Sequence, residues 1–397
     1  MYNAATRRRF LQTVGLGAAA LGLHSTARAQ QPDIAGFEEE QAMPEASKDW
    51  VPVSDRKIRV GIVGYGVCRF GALFGFQDHP NVEVAAVSDL VPERREALAR
   101  APRCEKTYAS LEELVQDDTI EAVFVATDAP GHARHSILSL KHGKHVAAAV
   151  PAVFGSLEEA DQLFEAVKTT GLTYMMFETS YYHAQCHAAR EIYKAGGFGK
   201  LVYSEGEYYH YFPDMIDSHE GWRMGLPPQW YSTHSNAYYV GVSNGRFTEV
   251  SCLGMPSRLD WLQPDNNRYK NAFGTEIALL RTSEGGMARM AVSWDTPGFG
   301  GEMGRVRGQR GSYYDEYQGL EKNLPCTERP PLPPGVSAGG HGGSHGRLMN
   351  EFVTAILEDR TPLVDISQSL NMTVAGIMAH ESARKDGEWL KIPQYEL

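Results

Sequence analysis

The run Lys57-Ile58-Arg59-Val60-Gly61-Ile62-Val63-Gly64-Tyr65-Gly66 constrains the fold of this chain more than any other segment. A short β-branched stretch that stops at glycines reads as a buried parallel strand feeding a tight turn. Gly64 is placed to make the turn, and Gly66 to let the backbone approach a pyrophosphate resting on the N-terminus of the helix that follows. A second strand, Val82-Glu83-Val84-Ala85-Ala86-Val87-Ser88, ends in Asp89. A carboxylate there can accept hydrogen bonds from both ribose hydroxyls and repels a 2′-phosphate, so NAD is expected rather than NADP. The third glycine of this pattern is due at Arg69, but the next one comes at Gly71. Either the turn is two residues longer, or the helix packs differently on the strand.

The continuation strengthens the reading. A short helix is predicted over 111–115, a buried strand over 122–126, a helix over 133–142 and a further strand over 145–149. Strands alternating with helices at this pace give a doubly wound parallel sheet, an α/β Rossmann domain. At 397 residues the chain is long enough for two domains. Its 40 aromatic residues supply packed cores, which rules out wholesale disorder. The formal charge is −11 and the one dense basic run is Arg7-Arg8-Arg9, so nucleic acid is a poor partner.

That basic run belongs to an address. Thr6-Arg7-Arg8-Arg9-Phe10-Leu11 precedes a moderately apolar stretch, Val14 to Leu23, and Ala27-Arg28-Ala29 offers a small-x-small cleavage site. The layout resembles a twin-arginine (Tat) export signal over 1–29, with an exported, periplasmic or extracytoplasmic location and no stable membrane anchor. Removing those residues takes four arginines and no acids, which changes −11 to −15. Residues 30–56 read as an arm or linker. The five cysteines (Cys68, Cys104, Cys186, Cys252, Cys326) are odd in number and contain no C-x-x-C, which argues against a disulfide framework. His341 and His345 are four apart but lie in a glycine-rich stretch, so no metal site is expected.

With Val60 to Gly66, Val87-Ser88-Asp89, Val125-Ala126-Thr127 with His132, and Gly143-Lys144-His145-Val146 with Pro151, the chain resembles the glucose–fructose oxidoreductase, inositol dehydrogenase and MocA (Gfo/Idh/MocA) family of nicotinamide enzymes. The resemblance implies a dinucleotide-binding Rossmann domain over 57–179. It also implies a substrate-binding α/β domain over 180–397, built on a large, open, mainly antiparallel sheet with a late helix over 347–358. The cofactor contacts it implies are Gly64, Gly66, Val67, Asp89, Thr127, His132 and Pro151. A small carbohydrate or glycoside is the implied substrate, and a homo-oligomer the implied assembly.

One departure bears on chemistry. Most family dehydrogenases carry Glu-Lys-Pro after the Lys-His-Val strand, whereas this chain has Ala149-Val150-Pro151. Valine cannot carry a proton or donate a hydrogen bond, so the usual catalyst of hydroxyl oxidation is missing. A Val-Pro also occurs in the family's glycoside-cleaving branch, typified by exported NAD-dependent α-N-acetylgalactosaminidases. The chain is similar to that branch through Tyr174-Met175-Met176-Phe177-Glu178 with Tyr182, and through Trp230-Tyr231-Ser232-Thr233-His234. It departs from it at Ala149 and Ser235. The resemblance implies proton transfer by Tyr182 and His234, with His183 as a substitute, and His or Tyr beside a nicotinamide can serve as acid or base. An exported enzyme without a free nicotinamide pool should return its cofactor to the starting redox state each turnover. Transient oxidation of a sugar hydroxyl, at C3, followed by redox-neutral glycoside cleavage satisfies that demand. A sugar oxidoreductase with net turnover and a non-catalytic NAD- or sugar-binding homologue are the alternatives.

Overall fold

The structure, a computed structural model, describes residues 48–66 and 68–397. The expected export signal, most of the expected arm and Val67 therefore lie outside the described residues. No helix among the described residues is long and apolar enough to cross a membrane.

The first half follows the alternation of its sequence: β1 (Ile58–Val63), α1 (Phe70–Leu73), β2 (Val82–Ser88), α2 (Pro92–Arg100), β3 (Thr107–Tyr108), α3 (Leu111–Leu114), β4 (Ala122–Val125), α4 (His132–Lys141), β5 (His145–Ala148), α5 (Leu157–Thr170) and β6 (Tyr174–Met176). The six strands form one sheet in the order β3-β2-β1-β4-β5-β6, every pair parallel. This is the Rossmann order, whose reversal beside β1 opens a crevice at the carboxyl ends of the strands. The strands β4 and β6 are buried at every position, as helices on both faces require. Local capping starts the helices. Ser110 accepts from the amide of Glu113 at 3.3 Å and Ser156 from that of Glu159 at 3.2 Å, each satisfying an orphan donor of its helix.

The second half comprises α6 (Ala184–Lys194), β7 (Leu201–Tyr209), α7 (Thr233–Ser243), β8 (Phe247–Pro256), β9 (Phe273–Thr282), β10 (Met287–Ser293), β11 (Gly301–Gly308), β12 (Gly311–Tyr313), β13 (Tyr317–Gly319), the four-residue turn α8 (Gly340–Gly343), α9 (His345–Leu357), α10 (Ile366–Ala383) and β14 (Leu390–Lys391). Its eight strands run in the order β13-β12-β11-β7-β10-β9-β8-β14, antiparallel except where β7 meets β10. The mainly antiparallel second sheet expected from the sequence is thus present. Period-2 alternation assigns its faces: Glu276, Ala278 and Leu280 of β9 point inward, while Ile277 and Leu279 point out.

The inner face is covered by α7 and α10. Ten of the eleven α7 residues are buried, so this helix has no solvent face. It approaches β7 closely because Gly206 has no side chain; a Cβ there would fall 2.0 Å from the Ser235 carbonyl oxygen. The helix α10 also reaches α5 and β6, which joins the two sheets through one core.

A buried polar knot aligns these layers. Glu276 accepts from His380 Nδ1 at 2.8 Å and from the Gln229 amide at 2.9 Å, and the Gln229 side-chain amide donates to the carbonyls of Glu276 and Met290. Both Glu276 and His380 are buried. Removing one partner of such a pair strands the other without solvation. The variant Glu276→Ala is therefore expected to lose about 3–5 kcal/mol of unfolding free energy, read from urea denaturation; a loss within about 0.5 kcal/mol would show that the knot does not hold the layers.

Candidate active site

The turn after β1 takes the longer of the two routes its sequence allows. Gly64 has φ 95, and a Cβ on it would lie 2.3 Å from the Ala126 carbonyl oxygen, so only glycine lets β1 pass this close to β4. Arg69 occupies the left-handed region at φ 55 and starts α1. Gly71 then packs where a third glycine is needed, with its would-be Cβ 2.4 Å from the Gly64 carbonyl oxygen. The turn is lengthened by two residues.

Above this turn lies a cleft of about 1100 Å³ lined by Gly64, Gly66, Asp89, Thr127 and His132. The space above Gly66 is open within 4 Å, as close approach of a bulky ligand requires. Asp89 accepts from the Tyr65 amide at 2.8 Å and the Val91 amide at 2.9 Å, which fixes its carboxylate at the tip of β2 while each oxygen keeps a lone pair. His132 lines the cleft and spans the carbonyls of Pro151 at 2.8 Å and Thr127 at 3.1 Å. Pro151 itself is buried outside the lining. These residues fit NAD: an open backbone turn for the pyrophosphate and an oriented carboxylate for the ribose.

A second cavity, of about 830 Å³, adjoins the first, and the two share Cys68, Phe70, Ala149, Val150, Arg223 and Tyr231. The Ala149-Val150 departure thus stands where they meet. Among the aromatic residues between 203 and 239, Tyr208, Phe212 and Tyr231 line this pocket, whereas Tyr238 and Tyr239 are buried core. The Tyr231 hydroxyl donates to the Val150 carbonyl at 3.2 Å. Burial pushes the Tyr231 phenol up to about 12 and that of Tyr208 well above its usual value, so both remain hydrogen-bond donors at neutral pH.

His234, near the start of α7, lines the pocket with its ring edge-on to Tyr208, centroids 4.6 Å apart. Its Nδ1 donates to Glu178 Oε1 at 2.7 Å and lies 3.7 Å from Glu302 Oε1. Burial alone would discharge this imidazole, but Glu178 and then Glu302 outweigh it and raise the pKa to about 9. Burial likewise opposes the Glu302 charge, yet His234, His183 and His341 hold it well below the usual carboxylate range. Glu178, His234 and Glu302 bring three ligand-type atoms within 4.8 Å of one another. The histidine nitrogen in that trio donates to Glu178, so the arrangement fits an ion pair.

The other expected proton carriers are placed differently. Tyr182 does not line the pocket: the chain turns into α6 there, its ring packs beside Tyr181, and its phenol feels Glu351 and Arg360. The phenol beside His234 is Tyr208. His183 stands behind the site, its Nε2 3.2 Å from Glu302 Oε2 and its Nδ1 3.4 Å from the Tyr238 hydroxyl. Glu302 escaped the sequence reading. Its signal is faint, an acid in register with buried Val306 on one face of β11.

The His234 shift makes stability depend on pH. A folded pKa above the unfolded value near 6.5 means that the stabilisation is complete below about 6.5 and is lost as pH rises through about 9. Urea midpoints of the wild type are expected to fall across that window and those of His234→Gln to fall less; parallel curves would refute the charged-histidine assignment.

Comparison with known proteins agrees with this geometry. Residues 58–178 match the family described as an oxidoreductase family with an NAD-binding Rossmann fold. A glycosyl hydrolase family 109 protein of Bacteroides fragilis is 31% identical over 194 residues, 46% of this chain and 42% of that one. The chain thus spans about two fifths of the length of the first curated relatives it matches. A glycosyl hydrolase family 109 protein of Saccharopolyspora erythraea is 24% identical over 99% of this chain and 94% of its own length. Among solved structures, the WlbA dehydrogenase from Bordetella pertussis, in complex with NADH and UDP-GlcNAcA, shares the fold at TM-score 0.71 and 18% identity, covering 87% of this chain and all of its own. Residues 58–178 thus match the Gfo/Idh/MocA oxidoreductase family over its NAD-binding Rossmann fold.

Proposed function

We propose that this protein is an exported, NAD-retaining enzyme that transiently oxidises a sugar hydroxyl, at C3, and uses the resulting ketone to cleave a glycoside without net redox change. The observation that carries the reading is a histidine held charged in an aromatic pocket that opens onto the cofactor cleft, where the backbone at the junction offers Ala149 and Val150 rather than an ionisable side chain. The relatives named glycosyl hydrolase family 109 proteins support it, one of them over nearly the whole chain.

When bound, NAD supplies reversible hydride acceptance from a sugar carbon. The chain's residues do the rest. Trp261, Trp294 and Phe212 offer faces to the apolar side of a pyranose ring. Tyr208 is placed to donate a hydrogen bond to one of its oxygens, and the Tyr231 hydroxyl, which donates to Val150, can accept one from a sugar hydroxyl. Charged His234 is suited to give a proton to the departing glycosidic oxygen, with Glu178 and Glu302 restoring its charge preference afterwards. Arg223, at the junction of the two cavities, faces sugar and cofactor alike.

Turnover of a competent aryl glycoside is expected to need no added NAD and to build up no NADH. Solvent deuterium should enter C2 of the product while deuterium placed at C3 stays with the sugar, and His234→Ala should be slower by about 10²- to 10⁴-fold. Stoichiometric NADH without aglycone release would favour the net oxidoreductase, and no hydride exchange with any sugar the binding protein.

The twin-arginine reading of residues 1–29 explains why a redox-closed cycle is needed, since a folded protein would be exported with its cofactor already loaded. Changing Arg7 and Arg8 to Lys should hold the precursor in the cytoplasm; unchanged export of that double variant would remove this part of the proposal.

A further inference from the structure

The pocket that holds His234 has two unlike ends. Thr179 and His234 line one of them, with Thr179 Oγ1 3.3 Å from His234 Nδ1. Tyr208 stands between the ends, its ring edge-on to His234 at 4.6 Å and to Trp294 at 5.5 Å. Past Trp294 the lining continues through Phe212, Met215, Leu226 and Trp261, which pack in an apolar cluster separate from the main core.

That second end offers a ligand few hydrogen bonds. The side chains of Met215, Ile216 and Leu226 carry no nitrogen or oxygen. Both indoles turn their N–H groups to the backbone: Trp294 Nε1 donates to the Leu226 carbonyl at 3.0 Å, and Trp261 Nε1 to the Phe212 carbonyl at 3.1 Å. The Phe212 amide in turn donates to the Trp294 carbonyl at 2.8 Å. The polar groups of this wall are thus paired with one another. A second sugar ring placed here would bury hydroxyls without partners, which disfavours it. An aromatic ring would bury apolar area alone and would meet ring faces and edges suited to it.

Burial shows which way a ligand larger than one sugar must project. Among the described lining residues that the cofactor cleft does not share, the half-buried ones are His210, Phe212, Met215, Ile216 and His341. Four of these five belong to the segment 210–216, so the side of the pocket open to solvent lies along it. The segment is anchored. The His210 amide donates to the Ser293 carbonyl at 2.8 Å, and the His210 ring stacks on Phe212 at 3.9 Å. Asp214 and Asp217 beside this opening are exposed, and their charge disfavours an anionic group there. The faces of Phe212, Trp261 and Trp294 suit one pyranose ring, and Met215 and Ile216 carry the apolar surface on to the opening.

We propose that Met215, Ile216 and Leu226, with the adjoining ring of Phe212, form an aglycone subsite, and that the glycosides this protein cleaves carry a neutral aromatic aglycone rather than a second sugar. The assignment rests on the glycoside-cleavage reading above and adds to it the class of the leaving group. The sugar is held between the cofactor cleft and His234, and the aglycone lies along the apolar wall toward solvent. The wall is built from anchored rings and small flexible tips, so little is lost in ordering it around the ligand.

The test uses the NAD-loaded holoenzyme with the methyl and 2-phenylethyl glycosides of glucose, galactose and their N-acetylamino forms, in both anomers, and with disaccharides of the same sugars. Methanol and 2-phenylethanol are leaving groups of like acidity, so a difference between their glycosides reports the ring. For the sugar that reacts, the 2-phenylethyl glycoside should exceed the methyl glycoside in kcat/KM by about tenfold or more, and the disaccharide should fall below the 2-phenylethyl glycoside. The double variant Met215→Ser, Ile216→Ser should bring the ratio of 2-phenylethyl to methyl toward one; damage to the fold or to the chemistry lowers both rates and leaves their ratio unchanged. Without any turnover, calorimetry should show 4-nitrophenol binding saturably to the wild type and about tenfold more weakly to the double variant. A wild-type ratio near one, a ratio that the variant keeps, preference for the disaccharide, or 4-nitrophenol binding that is absent or indifferent to the variant overturns the subsite. If no glycoside produces an NADH transient, the cleavage reading fails, and the 4-nitrophenol comparison still decides whether the apolar subsite exists.

Discussion

His234 is held 2.7 Å from Glu178 and 3.7 Å from Glu302, and the three groups arrive on different elements: α7, the segment after β6, and β11. Taking an imidazolium and two carboxylates out of water costs several kcal/mol per ion, which their mutual attraction offsets only when geometry is good and the remaining lone pairs are satisfied. The surroundings meet that demand in part, since Glu178 Oε2 is buried without a hydrogen-bond partner. Glu178 Oε1 also accepts the Ser180 amide at 2.9 Å, and His183 stands 3.2 Å from the second oxygen of Glu302. Because the Rossmann sheet contributes one carboxylate and the second sheet the other, the cluster can form only when the two sheets are in register. The buried polar knot at Glu276 and the close approach of Ser235 to Gly206 serve that register from the other side of α7.

The second consequence is chemical. A lysine at position 150 would put a second cation beside Arg223 at the mouth between the cleft and the pocket; valine adds no ionisable group there. The pocket keeps its hydrogen-bond donors in phenols that burial holds protonated, and its charge in a histidine that carboxylates hold protonated. Identical imidazoles here acquire opposite charge tendencies according to their surroundings: burial lowers the His341 pKa, whereas the carboxylates raise that of His234.

The dinucleotide cleft was legible in the chain because its requirements are local. A β-branched run, two glycines and an acid at the end of the next strand are each dictated by backbone passage or by one ligand contact, and all of them lie within about thirty residues. Even the misplaced third glycine was readable as a choice between two geometries, and Gly71 decides it by packing against the Gly64 carbonyl. The lining of the second pocket was legible only in part. His234 could be singled out from its polar neighbours, but Tyr182 could not be told from Tyr208, since which phenol reaches the pocket depends on how the turn at 179–182 enters α6.

The sequence by itself determined the parallel sheet, the glycine turn after its first strand, the acid at the end of the second, and the absence of lysine at position 150, because each follows from residue type at short range. Only the tertiary structure decided that Glu302 would face His234 and that His341 would enter the same pocket. Those pairings join residues 68 and 107 positions apart, and the electrostatics that distinguish them exist only after water has been expelled from between the sheets.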